Sequence, residues 1–330
     1  MTTHAVSLAL LCAVAACQNA PRAATDVDPL PSWNDNASKR SIVAFVGRVT
    51  KRGDADYVPP AERIAVFDND GTLWVEQPMY TQLAFALDRV KTLAPSHPVW
   101  TTRQPFKAVL EGDKAAIAAT GERGVHELVM ATHANMTTDE FAKVATDWLA
   151  TARHPRFRRP YTTLVYQPML ELLAYLRAQG FTTYVVSGGG VEFLRPWTER
   201  VYGIPPRQVI GSRIALRYRS DAKAPALDRL PKADFIDDGP GKPVAIEQMI
   251  GVRPILAFGN SDGDFEMLEW TTAGRGRRLG LILHHTDDVR EFAYDRDTHF
   301  GLLSRALDEA AARRWVVVDM KRDWRTVFPP

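Results

Sequence analysis

Three apolar runs, 63–67 (RIAVF), 181–186 (FTTYVV) and 254–258 (PILAF), lie among helical patterns, and the first two and the last each lead straight into a polar turn carrying glycine. Strands that alternate with helices specify a parallel sheet wound on both faces, with right-handed crossovers. Ligands of such sheets bind beyond the carboxyl ends of the strands, so turns roughly 200 residues apart along the chain are expected in one crevice. A further run, 279–283 (LGLIL), extends the same pattern.

The remaining elements follow from periodicity and stop signals. Ile42, Phe45, Val46 and Val49 mark a helix over 36–53. Residues 75–159, about 80 in all, carry helical patterns and no clear strand, and are too long for a simple loop. Within them Thr137 and Glu140 make a capping box, and Phe141, Val144, Ala145, Trp148 and Leu149 follow at helical spacing. Pro168 opens a helix whose buried face is Met169, Leu172, Leu173 and Leu176, and Gly180 closes it. The helix after Ser187-Gly188-Gly189-Gly190 is expected to bend or restart at Pro196. Residues 208–220 read as one or two short strands, 221–240 as irregular, and 242–250 as a helix. The expected fold is therefore α/β: a doubly wound, Rossmann-like parallel sheet from 36–74 and 160–330, with a helical subdomain inserted at 75–159.

The cysteines bear on the N-terminus. Only Cys12 and Cys17 occur, so neither a disulfide framework nor a cysteine metal site or thiol nucleophile belongs to the folded part. Residues 5–16 are apolar and uncharged, too short to span a bilayer but right for the h-region of an export signal. Val14-Ala15-Ala16-Cys17 resembles the lipobox of bacterial lipoproteins, although the preceding MTTH lacks Lys and Arg. The resemblance implies a signal peptide over 1–16, a lipid on Cys17, a polar tether over 17–35, and anchoring to a bacterial membrane on its periplasmic or outer side. A plain secretory signal, giving a soluble secreted protein, is the alternative. The net charge of +2, with no basic run or basic–aromatic ladder, argues against a nucleic-acid partner. No feature marks a protein partner.

Four stretches carry chemistry: Phe67-Asp68-Asn69-Asp70-Gly71-Thr72, Val186-Ser187-Gly188-Gly189, Gly241-Lys242-Pro243 and Gly259-Asn260-Ser261-Asp262-Gly263-Asp264. Two carboxylates two residues apart on a tight turn resist joint ionisation unless a cation lies between them. Oxygen ligands without His or Cys suit a hard cation such as Mg²⁺. Ser187 and the glycines after it offer a hydroxyl and backbone N–H groups to an anion. Lys242 adds a positive charge. Together they describe a site for a phosphoryl group.

In this order the four stretches resemble the motifs of the haloacid dehalogenase superfamily, over about residues 60–285, and most closely its phosphatases of the phosphoserine phosphatase type. The DxDGT and SGG forms carry most of the likeness, and the helical insertion sits where that family has its cap domain. The resemblance implies a phosphoric monoester hydrolase acting on a small phosphorylated metabolite, with Mg²⁺ as cofactor. Asp68 would be the nucleophile and form an aspartyl phosphate, and Asp70 would be general acid and base. Thr72 would hold the turn; it counts, with Ser187, Gly188 and Lys242, among the substrate-binding residues. Lys242 would balance the charge of phosphate and Asp68. Asp68, the Asp70 carbonyl, Asn260 and Asp264 would hold the metal. Asn260 stands where the family has an acidic residue, so Asp262 or Asp264 is open to a larger share. The acid at Asp70 favours a phosphate ester over a halide, because an alkoxide leaving group needs a proton.

Other residues take plainer readings. Glu76 could meet a substrate ammonium but reads first as a solvated or capping glutamate; Arg103 reads as a surface residue and His284-His285 as structural. Two rival functions share the same residues: a phosphotransferase, and a lipoprotein binding module with weak catalysis.

Overall fold

Ile64–Phe67 (β1) is buried at all its positions because both faces of its sheet are covered. Ala65 and Phe67 join one apolar cluster with Leu172, Val185 and Phe258, while Ile64 and Val66 join another with Ile246, Ala257 and Leu268. This is a computed structural model, and it describes residues 28–220 and 224–330. The signal peptide, Cys12, Cys17 and most of the expected tether lie outside the described residues. Among the described residues no helix is long and apolar enough to cross a membrane.

The other strands are β2 (Thr182–Gly190), β3 (Val209–Arg219), β4 (Ala226–Phe235), β5 (Leu256–Gly259), β6 (Leu279–Thr286), β7 (Ala293–Tyr294) and β8 (Val316–Asp319). They form one sheet in the order β4-β3-β2-β1-β5-β6-β7, with β8 also paired to β6. β3, β2, β1, β5, β6 and β8 pair in parallel; β4 and β7 are antiparallel additions. Phe67 stands opposite both Val185 and Phe258, so the turns after β1, β2 and β5 leave the sheet side by side.

Helices cover the faces: α1 (Ala37–Thr50), then α2 (Thr81–Leu93), α3 (Phe106–Glu111), α4 (Lys114–Ala119), α5 (Gly121–His133) and α6 (Thr138–Thr151) between β1 and β2. After these come α7 (Gln167–Ala178), α8 (Val191–Tyr202), α9 (Gly241–Ile250), α10 (Phe265–Thr272), α11 (Arg305–Arg313) and α12 (Met320–Asp323). The segment between β1 and β2 has its own small core of Val90, Trp100, Phe106, Val109 and Leu128. The capping box that opens α6 is formed in full by Thr137 and Glu140.

Several expectations shift. β2 does not stop at Ser187 but runs to Gly190, with an irregular register against β3 between Ser187 and Gly190. α8 is one helix with Pro196 inside it, so of the two expected outcomes the restart does not occur. The stretch read as irregular contains β4. Its residues look unlike a strand because exposed and covered positions do not alternate and the pairing is held by charge: Arg217 and Arg219 on β3 meet Asp228 on β4 at 3.2 and 3.0 Å, and Arg213 meets Asp234 at 3.1 Å. Beyond 283 the sequence reading assigns no element, yet β7, α11, β8 and α12 follow there.

Candidate active site

β1, β2 and β5 end together, and the start of α9 adds the third motif. The Asp68 N–H donates to the Phe258 carbonyl (3.0 Å), so the first turn departs tied to β5. Gly71 has φ +73°, and a Cβ there would lie 2.2 Å from both Asn260 Nδ2 and Glu76 Oε1; only glycine allows the first and fourth motifs to meet. Gly241 is similarly required, because a Cβ would lie 2.2 Å from the Ile236 carbonyl oxygen.

Lys242 is the centre of the arrangement. It is 2% exposed, and its Nζ donates to Asp68 Oδ1 (2.7 Å), Asp264 Oδ1 (2.5 Å) and the Val186 carbonyl (3.2 Å). Motifs one, two, three and four thus converge on a single ammonium. Burial alone would lower its pKa, but Asp264, Asp68 and Asp238 hold it well above the ordinary lysine range. Burial, and then the charge of Asp264, push the Asp68 carboxyl well up, against the pull of Lys242. Asp68 Oδ2 takes no hydrogen bond among the described residues.

Asp70 accepts a hydrogen bond from Trp74 Nε1 (2.9 Å), and Trp74 is stacked on Trp197 with ring centroids 4.4 Å apart. Burial pushes the Asp70 carboxyl up to about 6, against the Trp74 hydrogen bond. Ser187 is buried, and its Oγ accepts from the Gly189 N–H (3.1 Å). A Cβ on Gly189 would lie 3.7 Å from Asp70 Oδ2, which shows how closely the second motif approaches the first. Gln82 on α2 accepts from the Gly190 N–H (2.7 Å) and so ties the helical insertion to the second motif.

Three expected residues take a different part. Thr72 is fully buried and donates to Asn260 Oδ1 (2.9 Å); its hydroxyl braces the fourth motif rather than facing a substrate. Asp264 has both oxygens engaged, one by Lys242 and the other by the N–H groups of Asn260 (2.9 Å) and Ser261 (3.1 Å), so it orients the lysine. Asp262 is turned away to accept from the N–H groups of Ser304, Arg305 and Ala306, capping α11. Gly188 lies against Asp238, 3.8 Å from where its Cβ would be.

Five further residues surround the site: Tyr294, Asp237 and Asp238, which the sequence did not mark, and Glu76 and His285, which it gave plainer readings. Glu76 is buried, not solvated: its Oε1 accepts from Asn260 Nδ2 (2.7 Å) and from the Tyr294 hydroxyl (2.8 Å), and burial pushes it up to about 7. Tyr294 stacks on His285 at 4.3 Å, and His285 Nε2 reaches the Gly71 carbonyl at 2.7 Å. Asp238 acts on Lys242, and Asp237 is fully buried beside the Ser187 backbone. The pair Asp237-Asp238 directly before Gly239-Pro240-Gly241-Lys242 was the available signal. His284 faces Asp295 (3.1 Å), and Arg103 is an exposed residue paired with Glu127.

The donor chemistry suits a hard cation. Buried Asp68 and Asp264 share one ammonium, with half-buried Asp70 beside them and exposed Asp238 at the rim, an excess of negative charge that a divalent ion relieves. Among the described residues no three His, Cys, Asp or Glu side chains converge as a metal cluster, so neutral oxygens must complete any such site.

The family model for haloacid dehalogenase-like hydrolases matches residues 65–269, more than half of the chain and all four motifs. The chain belongs to the haloacid dehalogenase-like hydrolases. As such it is an enzyme, and its Rossmann-like sheet is the fold expected for it. No curated protein matches it. Among solved structures, this haloacid dehalogenase-like hydrolase is similar to an Anaerococcus prevotii protein of unknown function, at 19% identity and a TM-score of 0.53 over 76% of this chain and 86% of that one. A Bordetella pertussis Tohama I protein of unknown function follows, at 17% identity and a TM-score of 0.49 over 78% and 99%. A phosphoserine phosphohydrolase-like protein from Francisella tularensis is similar at 16% identity and a TM-score of 0.38 over 76% and 98%. These likenesses concern shape alone.

Proposed function

We propose that this hydrolase is a Mg²⁺-dependent phosphatase of a small phosphomonoester, working through an aspartyl phosphate on Asp68. The observation that carries the reading is Lys242 Nζ held between Asp68 and Asp264, with Asp70 fixed two residues beyond the nucleophile by Trp74.

The free oxygen of Asp68 attacks phosphorus in line, and the bond to the leaving oxygen breaks. Asp70, near 6, has both protonation states available around neutrality; it gives its proton to the leaving oxygen. As a carboxylate it then takes a proton from water, which attacks phosphorus, releases phosphate and restores Asp68. Lys242 offsets charge on Asp68 and on the phosphoryl oxygens throughout. The Ser187 hydroxyl and the Gly188 N–H hold those oxygens. Mg²⁺, held by the Asp68 carboxylate, the Asp70 carbonyl and the Asn260 amide oxygen, would supply further positive charge to the same oxygens. The Glu76 carboxylate behind Asn260 places next to that amide the acidity that position 260 lacks. Substrate choice falls to the insertion that Gln82 ties to the site, and the apolar leader with Cys17 supports a lipid-anchored, exported protein.

Turnover of p-nitrophenyl phosphate, and of a panel of phosphorylated amino acids, sugars and choline, tests the reading. Activity should require Mg²⁺ and vanish in Asp68→Asn; Mg²⁺-independent turnover, or an active variant, would overturn it.

A further inference from the structure

At the end of the sheet opposite the four motifs, where β1, β5 and β6 begin, the chain forms a cleft of about 300 Å³. Four arginines line it, Arg253, Arg275, Arg277 and Arg278, against two carboxylates, Asp56 and Glu62. β1 is four residues long, which separates this cleft from Asp68 by about 13 Å of strand. None of these residues takes part in the site described above.

Two of the guanidinium groups are fixed in place. Arg253 lies over the Trp270 ring, 3.4 Å from its centroid, and donates through Nη1 to the Trp270 carbonyl (3.2 Å). Arg278 donates through Nε to the Arg275 carbonyl (2.9 Å) and through Nη1 to the Pro254 carbonyl (2.6 Å). Neither forms an ion pair with a carboxylate among the described residues. Burial, and then the neighbouring charge of Arg253, hold Arg278 below the ordinary guanidinium range. Arg275 is exposed and has no carboxylate partner among the described residues. Arg277 has its Nε 3.3 Å from Asp56, but Asp56 is already held by Arg48 at 2.8 Å.

Unconnected surface arginines extend into water and stay apart. Here backbone carbonyls and an indole ring hold two guanidinium groups at a concave surface beside two more, and the local carboxylates do not balance them. Planar, fixed guanidinium groups lining one hollow, with Arg253 Nε and Nη2 and Arg278 Nη2 not spent on backbone carbonyls, suit the oxygens of a phosphate group. The volume lies at the low end for ligand sites and suits one or two phosphoryl groups rather than a nucleotide.

We propose that this cleft is a second, non-catalytic site for a phosphate-class anion, gripped by Arg253 and Arg278 and closed by Arg275 and Arg277. Such an anion arrives either free, as a phosphate or diphosphate, or as the headgroup phosphate of a lipid surface. The proposal does not depend on the reading of the catalytic site.

The test compares the full-length chain with the double variant Arg275→Ala/Arg277→Ala, whose altered side chains lie outside the core and outside the catalytic machinery. Unchanged melting temperature and unchanged p-nitrophenyl phosphate turnover establish that the variant is folded. One arm titrates inorganic pyrophosphate calorimetrically; binding at the catalytic site is common to both proteins and cancels. The other arm measures flotation with phosphatidylglycerol and with phosphatidylcholine vesicles, where any contribution of the leader is likewise common to both. The wild type should bind one equivalent of pyrophosphate more than the variant, or bind it there roughly tenfold or more tightly. A loss confined to pyrophosphate assigns a soluble anion, and a loss of the preference for phosphatidylglycerol assigns a lipid phosphate; either supports the site. Wild type and variant that behave alike in both arms would overturn it.

Discussion

Lys242 and Arg229 are buried to the same depth, each 2% exposed, but their surroundings differ. Arg229, on β4, pairs with Glu192 at 2.9 Å, donates to the His133 carbonyl at 2.7 Å and lies over the Phe141 ring at 4.0 Å. Its backbone also pairs with the insertion, taking the Asn135 N–H (2.8 Å) and giving its own N–H to Met136 (2.9 Å). One cation meets one anion, and the nearby His133 is kept neutral, held down to about 3 by burial and by Arg229 and Arg89. Lys242 instead faces an excess of carboxylates, and Asp68 and Asp70 are both held above the usual carboxylate range. The balanced pair joins β4 to α8, and the other Arg229 hydrogen bonds fasten the insertion to the sheet. An unbalanced arrangement is costly to keep, and here it lies where the proposed reaction would bring a phosphoryl group and a cation.

The contrast can be broken most sharply at Lys242. Lys242→Met should lower phosphomonoester turnover by about 10³-fold or more and destabilise the fold by roughly 3 kcal/mol, since two carboxylates lose their shared partner. Arg229→Met should also destabilise by roughly 3 kcal/mol in urea unfolding, yet leave turnover per folded molecule within a few-fold, because its partners are structural. A loss of turnover as deep as that of the lysine variant would erase the distinction.

His133 gives a smaller, pH-dependent effect. Its folded value, about 3, lies below the ordinary 6.5, so its stabilisation is present above pH 6.5 and is lost as pH falls from there toward 3. Between pH 7 and 5 this group should account for a loss of roughly 2 kcal/mol, and His133→Phe should remove that part of the acid sensitivity. Smallest is Asp262→Ala, which should cost about 1 kcal/mol through the cap of α11 and leave the Mg²⁺ requirement unmoved. A raised Mg²⁺ requirement would return Asp262 to the ligands.

These two clusters also show what was legible in the sequence. The residues meeting at Lys242 sit at strand ends in recognisable turns, so their convergence followed from the alternation of strands and helices. The Arg229 cluster was hidden because β4 is charged on both faces and lacks the alternation that marks a strand. Glu76 was misread for a related reason: a charged residue in a loop reads as solvated, and its burial depends on Tyr294 and Gly301, more than 200 residues away. Thr72, Asp262 and Asp264 were found as members of the site, but which atom each engages depends on side-chain direction, which spacing does not carry.

The most direct test is to quench the enzyme in acid during turnover of a phosphomonoester with Mg²⁺ and map the chain by peptide mass. One phosphoryl group should appear on the peptide containing Asp68, disappear once the substrate is exhausted, and be absent from Asp68→Asn. Steady hydrolysis with no phosphoryl group on that peptide, or with the label on another residue, would contradict covalent catalysis at Asp68.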